Sequence, residues 1–106
     1  MKFCEKLKAL RISVGYGFND FWKKAKISNV YLSSLENGVK PPPPPDRQRD
    51  FIRILKEKQQ LSEDDVNEFY DLAAKERNEL PADIVAEFDY KTTLIEIRKL
   101  IKENKR

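Results

Sequence analysis

The side chains best suited to recognition chemistry lie together in one short segment, residues 27–38, which reads ISNVYLSSLENG. Asparagine can form a bidentate hydrogen-bond pair with adenine, serine can donate or accept, and a small apolar side chain can contact a thymine methyl group. A short helix that buries one side and presents such side chains on the other fits the major groove of DNA. This segment is therefore a candidate recognition helix. The alternative is an ordinary surface helix of a helical domain.

Helix geometry separates the two sides of this segment. At about 100° per residue, Leu32 and Leu35 define the buried direction. The opposite side holds Val30, Ser33 and Ser34, with Asn29 on its border, and we call these four residues the base-contacting face. Tyr31 lies on the flank. Ser28 is a favourable N-cap residue, and Asn37-Gly38 is typical of a helix that ends with a left-handed residue.

Composition argues against enzyme chemistry. The chain has no histidine and one cysteine, so it lacks the usual ligands of zinc and any histidine-based acid–base group. Acidic pairs such as Asp64-Asp65 are typical of solvated helix faces. We expect no catalytic residue, no metal and no cofactor.

The same composition bears on location. No apolar run approaches the roughly 18 residues that span a membrane, and the N-terminal residues lack the apolar core of a signal peptide. We expect a cytoplasmic protein, encoded by a bacterium or a phage, with no membrane partner.

Charge is unevenly distributed along the chain. Residues 1–60 hold 13 Lys+Arg and 6 Asp+Glu, whereas residues 61–89 hold 2 basic and 10 acidic residues. Residues 90–106 are basic again, with 6 Lys+Arg and 2 Asp+Glu. Because phosphate neutralisation dominates nucleic-acid affinity, the basic first half favours double-stranded DNA as a partner.

Apolar residues recur at helical spacing along the whole chain and predict an all-α protein. Helices are expected over about residues 3–14, 18–26, 28–37 and 46–60, then from Ser62, from Pro81 and over 92–103. The expected inward residues are Phe3, Leu7, Leu10, Val14, Phe21, Trp22, Ala25, Phe51, Ile52, Leu55, Val66, Phe69, Tyr70, Ala73, Ile84, Val85, Phe88, Leu94, Ile97 and Ile101.

Five consecutive prolines, residues 41–45, interrupt the helices. Proline has a fixed φ and no amide hydrogen, so this run predicts a stiff, extended strap. The alternative is a ligand for a proline-recognising domain, which is disfavoured because helices resume on both sides.

Residues 3–55 resemble the DNA-binding domain of the Xre/Cro/C1 helix-turn-helix family, the lambdoid phage repressor type. The resemblance is carried by LKALR at 7–11, KAKIS at 24–28 and YLSSLENG at 31–38, followed by Lys40 and Pro41. It implies a bundle of four to five helices with residues 28–37 as the recognition helix. Residues 59–103, which include RNELPADI at 77–84, resemble the helical C-terminal extension of some bacterial regulators in this family.

The resemblance also implies roles for single residues. Asn29, Val30 and Ser34 match base-contacting positions, with Ser33 adjacent. Ser28, Asn37 and Lys40 match positions that hold phosphates, and we add Phe18 and Tyr31 to this backbone-contacting set. Related proteins usually bind as homodimers to half-sites about 34 Å apart.

Four residues at three places depart from the family pattern. Gly17-Phe18 replaces the Thr/Ser-Gln that opens the second helix, Trp22 replaces a small residue, and Lys26 replaces the glycine of the turn. The glutamine contact with DNA is therefore missing, and Lys26 must adopt a left-handed conformation at some cost. A degenerate helix-turn-helix that binds protein, as an antitoxin or adaptor, is the alternative function.

The sequence predicts two regions. Residues 1–60 form the helix-turn-helix domain, and residues 61–106 form a helical extension for dimerisation, regulation or binding of a protein partner. The predicted function is that of a sequence-specific transcriptional regulator, acting as a repressor.

Overall fold

The computed structural model describes residues 1–82, which contain five α-helices. They are α1 (Phe3–Ser13), α2 (Phe18–Lys24), α3 (Asn29–Glu36), α4 (Pro45–Lys58) and α5 (Glu63–Arg77). No strand occurs in residues 1–82, so the all-α prediction is confirmed there. The helices predicted beyond Ala82 lie outside the described residues. Among α1 to α5, none combines the length and apolarity needed to cross a membrane.

A single apolar cluster joins the five helices. Phe21 of α2, Leu32 and Leu35 of α3, Phe51 of α4 and Phe69 of α5 are all completely buried in it. The ring centroids of Phe21 and Phe51 lie 5.3 Å apart in an edge-to-face arrangement, which is a favourable aromatic geometry. The inward residues predicted for α1 to α5 belong to this cluster or pack against it.

The second helix is shorter than predicted. It ends at Lys24 rather than near residue 26, because the Lys26 and Ile27 amides turn back to the carbonyls of Lys23 and Trp22, at 3.2 and 3.1 Å. Lys26 has a φ of 57°. This is the left-handed conformation expected for a residue that stands in the place of the turn glycine.

Trp22 is accommodated at the edge of the core. Its side chain is only partly buried and packs against the apolar cluster, and its indole N–H donates to Asn19 Oδ1 at 3.1 Å. Helices α2 and α3 remain in contact. The large ring therefore does not separate these two helices.

The proline strap is partly buried and is held by hydrogen bonds from α4 and α5. Pro42 and Pro43 are buried, and their carbonyls accept hydrogen bonds from Arg77 Nη1 at 3.0 Å and Gln48 Nε2 at 2.7 Å. Pro45 begins α4 one residue earlier than predicted, at the first turn where proline is well tolerated.

The helix α5 lies against α1. Lys6 Nζ donates to Asp65 Oδ1 at 2.7 Å, and the Phe3 amide donates to Glu76 Oε2 at 2.6 Å. The rings of Phe3 and Phe69 are 5.0 Å apart. Helix α5, which belongs to the predicted extension, thus contacts α1 through an ion pair, a hydrogen bond and apolar packing.

Candidate nucleic-acid interface

Helix α3 is fixed at both ends by local hydrogen bonds. Ser28 Oγ accepts from the Tyr31 amide at 3.0 Å, as its N-cap position predicted. At the other end, Gly38 has a φ of 74°, and the Val39 and Lys40 amides donate to the Ser34 carbonyl at 2.9 and 3.2 Å. These contacts define where the helix starts and stops.

A buried ion pair holds the last turn of α3 against α1. Arg11 Nε and Nη2 donate to Glu36 Oε2 and Oε1 at 2.7 and 2.9 Å, and Arg11 Nη1 donates to the Tyr16 carbonyl at 3.0 Å. The side chains of Arg11 and Glu36 are 10% and 5% exposed. This bidentate pair therefore connects α3, α1 and the turn before α2.

Sequence reasoning assigned no role to this pair, although a signal was present. Arg11 follows Leu7 by four residues, and Glu36 follows Leu32 by four. Residues four apart lie on the same side of a helix, so both charged residues occupied buried positions. A buried charge needs a partner, so the spacing predicts that both residues are paired but does not say with which residue.

The base-contacting face forms one continuous surface. Asn29, Val30, Ser33 and Ser34 line an open depression of about 370 Å³ together with Phe18. Val30 is 70% exposed, and the two serines are partly exposed. The structure therefore brings together all four residues that the sequence predicted to contact bases. Their contact with DNA remains a prediction.

Two hydrogen bonds orient polar groups on this face. Asn29 Oδ1 accepts from the Val30 amide at 2.8 Å, and Ser33 Oγ accepts from Asn37 Nδ2 at 3.2 Å. A carbonyl oxygen has two lone pairs, so Asn29 Oδ1 retains capacity for a second donor such as the adenine amino group. The Ser33 hydroxyl hydrogen likewise remains available to a base.

Phe18 forms one wall of the depression. It is partly buried, and the Arg11 guanidinium carbon lies 5.5 Å from the centre of its ring. Gly17, the N-cap of α2, contributes no side-chain hydrogen bond. The start of α2 thus offers an apolar surface where the resembled family has a polar contact with DNA.

Of the predicted backbone-contacting residues, Phe18 lies beside the base-contacting face, and the other four form two groups at opposite ends of α3. Ser28 and Tyr31 line a second depression at its N-terminal end, together with Lys26, Ile27, Pro44 and Arg47. Asn37 and Lys40 are exposed at its C-terminal end, where they line a cleft of about 540 Å³ beside α1 and α5. Arg47 is not among the residues predicted from the sequence, because it lies on α4 and no local pattern connects it to Tyr31.

Comparisons with protein-family models, with curated proteins and with solved structures each found no match.

Proposed function

We propose that this protein is a sequence-specific DNA-binding transcriptional regulator, acting as a repressor, which places α3 in the major groove. The observation that carries the proposal is the base-contacting face, in which four side chains of suitable chemistry line one open depression. The opposite side of the same helix is completely buried through Leu32 and Leu35. A rigid helix with one free polar face is what base recognition requires.

The dimensions of α3 agree with this role. An α-helix with its side chains is about 10 to 12 Å across, and the major groove of B-DNA is about 12 Å wide. The exposed Val30 supports the proposal as well, because contact with a thymine methyl group would remove its apolar surface from water.

Charge supports docking on phosphates. Residues 1–60 carry seven more basic than acidic residues, and Lys40 is exposed just after α3. In the proposed complex Ser28, Tyr31, Asn37 and Lys40 contact the backbone on either side of the groove. Phe18 packs on a sugar.

The resemblance to the Xre/Cro/C1 family extends the proposal to a homodimer on two half-sites. Residues 61–106 would supply the dimer contact or hold a regulatory partner. Since α5 buries Phe69 and Ala73 within the core, any such contact through α5 uses its outward, largely acidic side.

The central test is a binding assay with a matched pair of variants. A preferred duplex is selected from a randomised library, and its binding is then compared with that of a scrambled duplex by fluorescence anisotropy. Loss of bidentate base contacts costs about 1 to 3 kcal/mol, so Asn29→Ala combined with Ser34→Ala should weaken binding of the selected duplex about tenfold or more. Binding of the scrambled duplex should change little.

Asn67→Ala, on the exposed side of α5, is the control and should bind like the wild type. Circular dichroism verifies that each variant is folded. If the library shows no enrichment and the wild type shows no salt-dependent binding to any duplex, the proposal is wrong.

An antitoxin or protein-binding adaptor is the second candidate. It is favoured by the apolar part of the same depression, where Phe18 and the exposed Val30 face a common space. Co-expression with the product of the neighbouring gene tests it. A stable complex that is lost in Val30→Asp, together with no DNA enrichment, would support this candidate over the regulator.

A further inference from the structure

A depression of about 440 Å³ lies at the N-terminal end of α3, and its lining is cationic. Two basic side chains, Lys26 and Arg47, line it together with Ser28, Tyr31, Ile27 and Pro44, and none of the lining residues is acidic. Two cations and two hydroxyl groups around an open space are the chemistry of an anion site.

Arg47 keeps its charge free for a ligand. The two carboxylates nearest to it along α4 pair with other arginines, Asp46 with Arg49 and Asp50 with Arg53 at 3.5 Å. Among residues 1–82 no ion pair involves Arg47. Its guanidinium carbon instead lies 5.8 Å from the ring centre of Tyr31. This contact holds the guanidinium in place and leaves its N–H donors available at the edge.

Lys26 brings the second charge. It is exposed and follows α2 with a φ of 57°, a conformation that glycine adopts more easily. Within the described part of the chain its ammonium group takes part in no ion pair. Lysine at this position therefore places an unneutralised cation at the edge of the depression.

Some of the backbone amides at this end of α3 already donate hydrogen bonds within the protein. The Val30 amide donates to Asn29 Oδ1 and the Tyr31 amide donates to Ser28 Oγ. Two of the amides that a helix N-terminus could offer to an anion are thus occupied. An anion here would depend on the side chains of Lys26 and Arg47.

We infer that Lys26, Tyr31 and Arg47 form a phosphate cleft that binds the DNA backbone beside the base-contacting face. This inference rests on the proposed function and deepens it. Lys26 and Arg47 bind phosphate oxygens directly, whereas the ring of Tyr31 positions the Arg47 guanidinium. The cleft supplies, at the turn and on α4, a charged contact with phosphate that the apolar Gly17-Phe18 start of α2 does not offer.

Neutral variants of the two cations test the cleft. Arg47→Met removes the charge and keeps much of the apolar stem, and Arg53→Met is the matched control on the same helix. We expect Arg47→Met to bind both the selected and the scrambled duplex about tenfold more weakly, as loss of one charge-assisted contact implies. The slope of log affinity against log salt should fall by about 0.9. Arg53→Met should keep the wild-type slope.

Lys26→Gly separates binding from folding. It removes the charge and the left-handed strain together, so its melting temperature should rise while its affinity and salt slope fall as in Arg47→Met. Tyr31→Phe keeps the ring and should lose less affinity than Tyr31→Leu, which removes the surface that positions Arg47.

The outcomes distinguish this inference from the proposed function. If the wild type binds no duplex, the proposed function and the cleft both fail. If the wild type binds its selected duplex, but Lys26→Gly and Arg47→Met keep its affinity and salt slope, the cleft is refuted and the proposed function stands. A loss restricted to the selected duplex would also refute it, because phosphate contacts carry no sequence information.

Discussion

Four polar side chains lie in the core of residues 1–82: Lys6, Arg11, Glu36 and Gln48. Each one occupies a position three or four residues from a buried apolar residue of its own helix. Partners offset the cost of burying them, except that Gln48 Oε1 has no hydrogen-bond partner among the described residues. Lys6 pairs with Asp65, Arg11 with Glu36, and Gln48 donates to the Pro43 carbonyl. The pair formed by Arg11 and Glu36 is the most consequential, because it fixes the end of the candidate recognition helix.

The stability of the fold should therefore depend strongly on Glu36. Glu36→Ala leaves the Arg11 charge buried without its partner, and we expect the free energy of unfolding to fall by about 3 kcal/mol. Urea denaturation followed by circular dichroism measures this change. The double variant Arg11→Met with Glu36→Leu removes both charges, so it should be more stable than Glu36→Ala. A Glu36→Ala protein that unfolds like the wild type would contradict this account.

Helix α5 is attached to α1 by specific polar contacts that its sequence did not predict. The helical spacing of its apolar residues predicted that Phe69, Tyr70 and Ala73 are buried, but not which helix they would contact. In the structure its acidic first turn reaches Lys6 of α1, and Glu76 in its last turn accepts from the Phe3 amide. An acidic residue at a helix N-terminus is favourable, so α5 also caps α1.

This attachment should be sensitive to acid. The hydrogen bond from Lys6, assisted by the one from Ser62, lowers the pKa of the Asp65 carboxyl below its ordinary value of 3.8. Because the folded pKa lies below the unfolded one, the ionised carboxylate stabilises the fold above about pH 4, and this contribution is lost as pH falls through the folded pKa. Asp65→Asn should therefore lower the urea midpoint at pH 6 and lower it less near pH 2.

The neighbouring Asp64→Asn provides the control, since Asp64 is exposed and its replacement leaves the pairing of Lys6 with Asp65 intact. If Asp65→Asn shifts the urea midpoint equally at both pH values, the ionised carboxylate is not the source of the effect.

At the scale of the whole molecule, residues 1–82 share one core between a basic and an acidic region. The basic residues 1–60 hold the candidate interface, and the acidic residues 61–89 begin with a helix that packs on α1. The apolar cluster runs from Phe3 to Ala82 without a break between the two predicted regions. Residues 1–60 thus complete their core only with α5 in place.

Removal of α5 should consequently destabilise the first sixty residues. A fragment of residues 1–60 loses the ring of Phe69, which lies 5.0 Å from that of Phe3, and deleting one such buried aromatic typically costs about 3 kcal/mol or more. We expect a lower melting temperature and a broader transition than for residues 1–82. Equal melting temperatures for the two fragments would show that residues 1–60 fold without α5.

Much of the fold was predictable because its signals are local. The five described helices, their inward residues and the caps at Ser28 and Ser62 depend on spacings of three or four residues and on single capping side chains. The base-contacting face followed from the same geometry. The end of α2 was predicted two residues late, since neither Ala25 nor Lys26 carries the glycine signal that usually marks such a turn.

Within residues 1–82, the sequence by itself determined the five helices apart from their exact ends, the side of each helix that is buried and the four side chains that share the exposed face of α3. These properties arise within one or two turns of helix. Only the tertiary structure decided which partners meet: Glu36 with Arg11, 25 residues apart, and Glu76 with Phe3, 73 residues apart. It also placed Arg47 over Tyr31. Such contacts depend on the path of the whole chain, which no local spacing encodes.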